Sequence, residues 1–171
     1  MSRKLRAGDS VLITGTIISA RDAAHKAMTE ALAKGESLPV DWHDQIVYYL
    51  GPTPAKPGDP IGSCGPTTSG RMDAYTPTML AQGIKGMVGK GSRSPEVVEA
   101  MKKNGVTYFA AVGGAAALIA KSVKKYEVVG YPELGPEAVA KLTVEDFPCI
   151  VVIDSEGNDF YEIGQKPYRR L

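Results

Sequence analysis

Between Gly51 and Pro60 the chain reads Gly-Pro-Thr-Pro-Ala-Lys-Pro-Gly-Asp-Pro, four prolines and two glycines in ten residues. Proline removes a backbone donor and clashes with a preceding helical turn, so this stretch is neither helix nor central strand. A second glycine-rich loop follows at once, Ile61-Gly-Ser-Cys-Gly-Pro-Thr-Thr-Ser-Gly-Arg-Met-Asp73. Together the two exceed an ordinary connection, and long loops in compact domains are either functional or disordered. The composition here is small and uncharged rather than charge-rich, which favours an ordered, functional loop.

On either side the pattern is regular. Ser10 to Thr16 has the short, β-branched character of a buried strand stopped near Gly15. Arg21 to Lys34 is a helix: Ala24, Ala27, Met28, Ala31 and Leu32 share one face, and Gly35 stands at the C-terminal cap. Gln45 to Leu50 is a second strand. After the loops, Thr76-Pro77 opens a short helix closed by Gly83, and Gly86 to Gly89 is a strand. Ser94-Pro95-Glu96 joins a cap, a first-turn proline and an acid at the positive end of a helix that ends near Asn104-Gly105. Strands are expected at Val106 to Val112, Glu127 to Val129 and Phe147 to Ile153, and Gly113-Gly114 opens an alanine-rich helix reaching about Ser122. Asp154 to Asn158 is a turn from which Asp159 to Ile163 pairs back as a hairpin. The fold class expected is α/β, one domain with a mixed sheet.

Composition excludes several functions. The chain has 171 residues, enough for one domain with a sizeable core. With 20 Lys and Arg against 19 Asp and Glu it lacks the basic excess of a domain that binds nucleic acid through bulk charge. The apolar stretch from Ala110 to Ala120 is interrupted by Gly113-Gly114 and falls short of the roughly 20 residues that span a bilayer. No apolar run of signal-peptide length follows the basic N-terminus, so a cytoplasmic protein with reduced thiols and no membrane partner is expected. Cys64 and Cys149 form no C-x-x-C pair.

Several motifs offer chemistry. Thr14-Gly15-Thr16 lacks the remaining glycines of a dinucleotide fingerprint. Gly86-Met-Val-Gly-Lys-Gly-Ser92 has Ile84 where a phosphate loop needs glycine, and Gly91 where it needs Ser or Thr. His25 and His43 are isolated from carboxylate clusters and are expected at surface or capping positions rather than on a metal. Cys64 could be activated by helix-end amides, but a hydroxyl-rich turn whose side chains bond the local backbone accounts for Ser63, Thr67, Thr68 and Ser69 as well. Gly65-Pro-Thr-Thr-Ser-Gly-Arg71 is more informative. Proline can open a helical turn with its amides facing an anion, and in such a turn Thr67 and Arg71 point the same way. Arg21 follows the first strand, and Lys90 lies in a third glycine-rich loop. These three cations could converge on a dianion at strand carboxyl ends, or stand unrelated on the surface.

These residues also carry a resemblance. Ser19-Ala-Arg-Asp-Ala-Ala24, Gly51-Pro-Thr-Pro-Ala-Lys-Pro-Gly58, Gly65-Pro-Thr-Thr-Ser-Gly-Arg-Met-Asp73, Gly89-Lys-Gly91, Gly113-Gly-Ala-Ala116 and Val144-Glu-Asp-Phe-Pro148 resemble the β subunit, or C-terminal domain, of iron–sulfur hydro-lyases, the class I fumarases and L-tartrate dehydratases. The likeness runs from about Leu5 to Phe160. It implies a single domain of the swivelling β/β/α type over residues 1–171. It implies reversible hydration of fumarate to (S)-malate, with Thr67 as catalytic base and Arg21, Arg71 and Lys90 binding the carboxylates of a small dicarboxylate. The [4Fe–4S] cluster would be carried by a separate α subunit, in a heterotetramer or around a β-subunit dimer. This chain has no metal ligands of its own in that reading, and Cys64 is a packing residue. A tartrate dehydratase β subunit and a non-catalytic dicarboxylate-binding module are the alternatives.

Overall fold

A computed structural model describes residues 4–111 and 116–169. Along the chain these form β1 (Ser10–Ser19), α1 (Asp22–Ala33), β2 (Ile46–Tyr48), α2 (Thr76–Leu80), β3 (Gly86–Gly89), α3 (Pro95–Asn104), β4 (Thr107–Ala110), α4 (Ala116–Ser122), β5 (Val123–Gly130), β6 (Val139–Ile153) and α5 (Phe160–Ile163), with short 3-10 turns at Ser69–Met72, Pro132–Glu137 and Lys166–Tyr168. Strands β1 to β4 pair in sequence order, all parallel. The long β6 runs antiparallel to them. It pairs β1 along one edge and both β5 and β4 along the other. Because β6 joins β1 to β4, the pairing β1-β2-β3-β4-β6 closes on itself. The mixed sheet with its helices is α/β, as the sequence pattern requires.

Side chains alternate across a strand, so adjacent residues serve two separate cores. Ile18, Val47, Met87, Tyr108 and Val152 pack with Ala24 and Met28 of α1, Met79 and Leu80 of α2, and Val97 and Met101 of α3. Their neighbours Ile17, Tyr48, Val88, Phe109 and Val151 pack on the opposite face with Phe147, Cys149 and Ile119 of α4. Capping follows the sequence closely. Ser94 Oγ accepts from Val97 N–H at 3.4 Å at the start of α3, and Gly105 ends that helix in the left-handed region at φ 66°.

Three elements depart from expectation. β1 does not stop at Gly15: glycine adopts a φ of 136°, the register slips by one residue there, and the strand continues to Ser19. β6 begins at Val139, eight residues before Phe147, where Lys141, Thr143 and Glu145 are exposed between buried Leu142 and Val144. Asp159 to Ile163 is not the return strand of a hairpin. Asp159 makes one isolated bridge to Ile153, then its carboxylate accepts from Tyr161 N–H at 2.8 Å and starts α5. The Gly113-Gly114 helix opening and Val112 of the expected fourth strand lie outside the described residues; α4 is seen from Ala116. Among the described residues no helix is long and apolar enough to cross a membrane.

Candidate functional site

The parallel strands all deliver their carboxyl ends to one end of the sheet, where open α/β sheets bind ligands. From β1, Ala20 N–H donates to Tyr48 O at 3.1 Å, and Arg21 becomes the N-terminal cap position of α1. From β2 the chain passes through Tyr49 and the proline-rich loop, then returns beside itself. Thr67 N–H donates to Tyr49 O at 2.8 Å, and Leu50 and Pro66 form a bridge. One residue on, Thr68 bridges Lys90 just past β3, and Ser69 N–H donates to Lys90 O at 2.9 Å. Thr67 to Ser69 is thus an extended segment laid between the exits of β2 and β3. The expected helical turn through Thr67 is replaced: Thr68 has ψ 116° and the 3-10 turn begins at Ser69. A three-residue reach of backbone pairing on both sides leaves no room for a helix there.

Arg21 and Arg71, fifty positions apart, meet at one carboxylate. Arg71 Nε lies 2.7 Å from Asp22 Oδ1, and Arg21 Nε lies 3.2 Å from Asp22 Oδ2. Arg21 Nη2 also reaches Glu137 Oε1 at 3.4 Å, while Glu137 Oε2 accepts from Ala23 N–H at 2.8 Å and so caps the first turn of α1. The Arg21 guanidinium lies against the Gly51 backbone, where an added Cβ would sit 2.5 Å from Nη1. Partial burial works to raise the Asp22 carboxyl, but its own backbone N–H and the guanidiniums of Arg21 and Arg71 outweigh burial and hold it below its usual value.

A buried polar layer fixes these loops from beneath. The Gly91 carbonyl can only accept, so Tyr108 OH donates to it at 2.8 Å and accepts from Ser69 Oγ at 2.8 Å. Arg93, its side chain fully buried, donates from Nε to Asp73 Oδ1 at 2.7 Å, from Nη1 to Tyr49 OH at 3.1 Å and from Nη2 to Thr76 Oγ1 at 2.7 Å. Its guanidinium carbon lies 5.3 Å from both the Tyr49 and Tyr108 ring centres. Burial opposes this charge, yet Tyr49 and Asp73 keep it protonated. Asp73 Oδ2 accepts from Ser94 N–H at 2.7 Å, which ties the hydroxyl-rich loop to the start of α3.

Of the residues singled out in the sequence, Thr67 is half-buried, Arg21 and Arg71 share Asp22, and Lys90 is exposed with its backbone against Thr68 and Ser69. His25 is not at the surface: it is buried, with Nδ1 3.0 Å from Arg21 O. His43 is exposed beside Asp44. Sequence reading missed Asp22, Glu137, Tyr108 and Arg93. An acid in the first turn of a helix, next to an arginine, was the available signal for Asp22; Arg93 carries none, because only the fold buries it.

Cys64 and Cys149 are both buried, and burial pushes both thiols up to about 12. Metal-binding cysteine must be thiolate. Among the described residues no group of three or more His, Cys, Asp or Glu side chains is placed to hold a metal ion. The donors among the described residues therefore do not fit an iron–sulfur cluster.

The model of the fumarase C-terminus family matches residues 1–164. The chain belongs to that family. It is 47% identical over 152 residues to the aerobic class I fumarate hydratase of Escherichia coli strain K12, covering 88% of this chain and 28% of that protein. It is 44% identical over 156 residues to fumarate hydratase 2 of Leishmania major, covering 90% of this chain and 28% of that one. Against a putative L(+)-tartrate dehydratase subunit beta of Methanocaldococcus jannaschii the identity is 43% over 176 residues, covering 99% of this chain and 90% of that protein. The chain thus spans little more than a quarter of the length of these fumarate hydratases, and nearly all of the β subunit.

Proposed function

We propose that this chain is the β subunit of a two-subunit fumarate hydratase, which reversibly hydrates fumarate to (S)-malate and which works only with a cluster-bearing α subunit. The observation that carries the reading is the meeting of Arg21 and Arg71, from separate elements, at the carboxyl ends of parallel strands and beside the Thr67 segment. Arg21, Arg71 and Lys90 bind the two carboxylates of the substrate, guanidinium forks suiting bidentate contact. Thr67 handles the proton at the reacting carbon. A free threonine hydroxyl is a weak base, so Thr67 needs activation by loop amides, a nearby cation or a group on the α subunit. The poor fit of the two buried thiols to a metal supports assigning the [4Fe–4S] cluster to the α subunit.

The match to nearly the whole length of a putative tartrate dehydratase β subunit supports a second reading, the same half of a tartrate dehydratase. Both substrates are C4 dicarboxylates, and the cations serve either. Coexpression with the α subunit, followed by anaerobic assay on fumarate, malate and tartrate, separates the two. Thr67→Ala should lower kcat by roughly 10²–10⁴-fold, the usual worth of a positioned acid–base group, with KM changed only slightly. Wild-type turnover in that variant removes the base role. Dicarboxylate binding without hydration by the assembled pair would make the chain a binding module instead.

A further inference from the structure

We propose that Asp22 is the positioning residue of the dicarboxylate clamp: it holds Arg21 and Arg71 on one carboxylate through Nε contacts at 3.2 Å and 2.7 Å, so that Arg21 Nη1 and the terminal nitrogens of Arg71 are left to one substrate. The inference rests on the functional reading above and adds to it a residue that never touches the substrate itself.

Two guanidiniums aimed at one small dianion repel each other until the ligand arrives. Asp22 answers this with one carboxylate oxygen for each, Oδ1 to Arg71 at 2.7 Å and Oδ2 to Arg21 at 3.2 Å. A guanidinium offers five N–H groups in a planar fork, and engaging Nε leaves the terminal edge open. Among the described residues, neither terminal nitrogen of Arg71 meets an acceptor, and its side chain is 54% exposed. Arg21 gives Nη2 to Glu137 and keeps Nη1 over the Gly51 backbone, toward the loop that carries Thr67. Asp22 is 26% exposed, between Arg21 at 20% and Arg71 at 54%. Asp22 also accepts from its own backbone N–H at the start of α1, while the Ala23 amide is taken by Glu137, so a helix-start role accounts for that one contact and not for the two guanidiniums. The rival role is competition, in which Asp22 occupies the arginines until substrate displaces it. The two roles predict opposite changes in KM.

The test uses the enzyme assembled with its α subunit. Asp22→Asn removes the charge at constant shape, and Asp22→Ser does so while keeping a residue suited to the start of a helix should the first variant assemble poorly. Both should raise KM for fumarate by about 10–100-fold, the worth of one charge-assisted contact, with kcat within roughly threefold of wild type. Because Asp22 acts through the fork of Arg71, Asp22→Asn should add less than about twofold to KM in an Arg71→Lys background. A lowered KM, an unchanged KM, or fully additive effects overturns the proposal. A readout independent of turnover is the exchange of the arginine side-chain Nε–H protons in ¹⁵N spectra of the chain. That of Arg21, which donates to Asp22 Oδ2 at 3.2 Å, should be protected in wild type and lose protection in Asp22→Asn. Absence of protection in wild type overturns the proposal even in an active enzyme. Protection without hydration of any C4 dicarboxylate removes the functional reading instead, and the clamp role with it.

Discussion

His25 shows how a single side chain couples the site to pH. Its ring is buried, edge-on to Tyr49 at 5.5 Å and tilted against Tyr75 at 6.5 Å. The Arg21 carbonyl only accepts, so Nδ1 carries the proton of the neutral tautomer. Burial pushes this histidine down to about 4 with Arg93 adding to the effect, against the opposing pull of the Arg21 carbonyl and the Asp22 carboxylate. The unfolded chain takes up a proton near 6.5, before the folded one does. Stability from His25 is therefore complete above pH 6.5 and is lost as pH falls toward about 4, by about 3 kcal/mol in all and at most about 1.4 kcal/mol per pH unit. Asp22 and Asp154, both held below their usual values, lose their contribution at lower pH still and shape both proteins alike. Urea unfolding of wild type and His25→Gln at pH 7, 5.5 and 4.5 should show the wild type falling more steeply between pH 6.5 and 4.5. Parallel profiles would show that His25 does not stay neutral.

At the scale of elements, β3 and the hydroxyl-rich segment are fitted through a missing side chain. Gly89 ends β3 directly beneath Ser69, and a Cβ there would collide with Ser69 Oγ and come within 2.9 Å of the Tyr49 ring. Gly89→Ala should cost about 1–3 kcal/mol by overpacking, and should push the Thr67–Ser69 segment off its two strand-end partners. Faster amide exchange at Thr67 and Ser69, whose N–H groups bond Tyr49 and Lys90, would report that displacement; unchanged stability and exchange would count against the close fit. Elements defined by local chemistry were legible in the sequence. α3 is bounded by Ser94-Pro95 and Gly105, and α1 by Arg21 and Lys34, because caps and periodicity are properties of neighbouring residues. β6 is only half legible although Lys141 to Glu145 alternates cleanly, and Asp159, which caps α5, is expected instead to open the return strand of a hairpin after the Asp154–Asn158 turn. In the site, Arg21, Thr67, Arg71 and Lys90 could be picked out by residue type and family motif. Asp22 carried a first-turn signal, but its sharing between two arginines, like the burial of Arg93, exists only where chain segments 49 and 20 positions apart meet.

The whole molecule depends on β6. It closes the ring by holding β1 on one edge and β4 with β5 on the other, so no strand at the site end of the sheet is free to separate alone. The two cysteines report on this closure from different places. Cys149 lies in β6 and Cys64 in the loop that leads to Thr67, yet both are packed in the same core with Phe147 and Tyr48. Tyr48 OH donates to the Cys64 carbonyl, which anchors that loop to β2. Burial raises both thiols to about 12, so neither should react with an aromatic disulfide reagent in the native protein. If the closed ring unfolds as one cooperative unit, both thiols become reactive at one urea midpoint, coincident with the loss of far-UV circular dichroism. Single-cysteine variants, Cys64→Ala and Cys149→Ala, assign each signal. Reaction of Cys64 well before the dichroism changes would mean that the loop opens locally while the ring persists. The clamp would then be tethered to a mobile segment rather than to the frame, and the close convergence of Arg21 and Arg71 would hold only in the closed fraction of molecules.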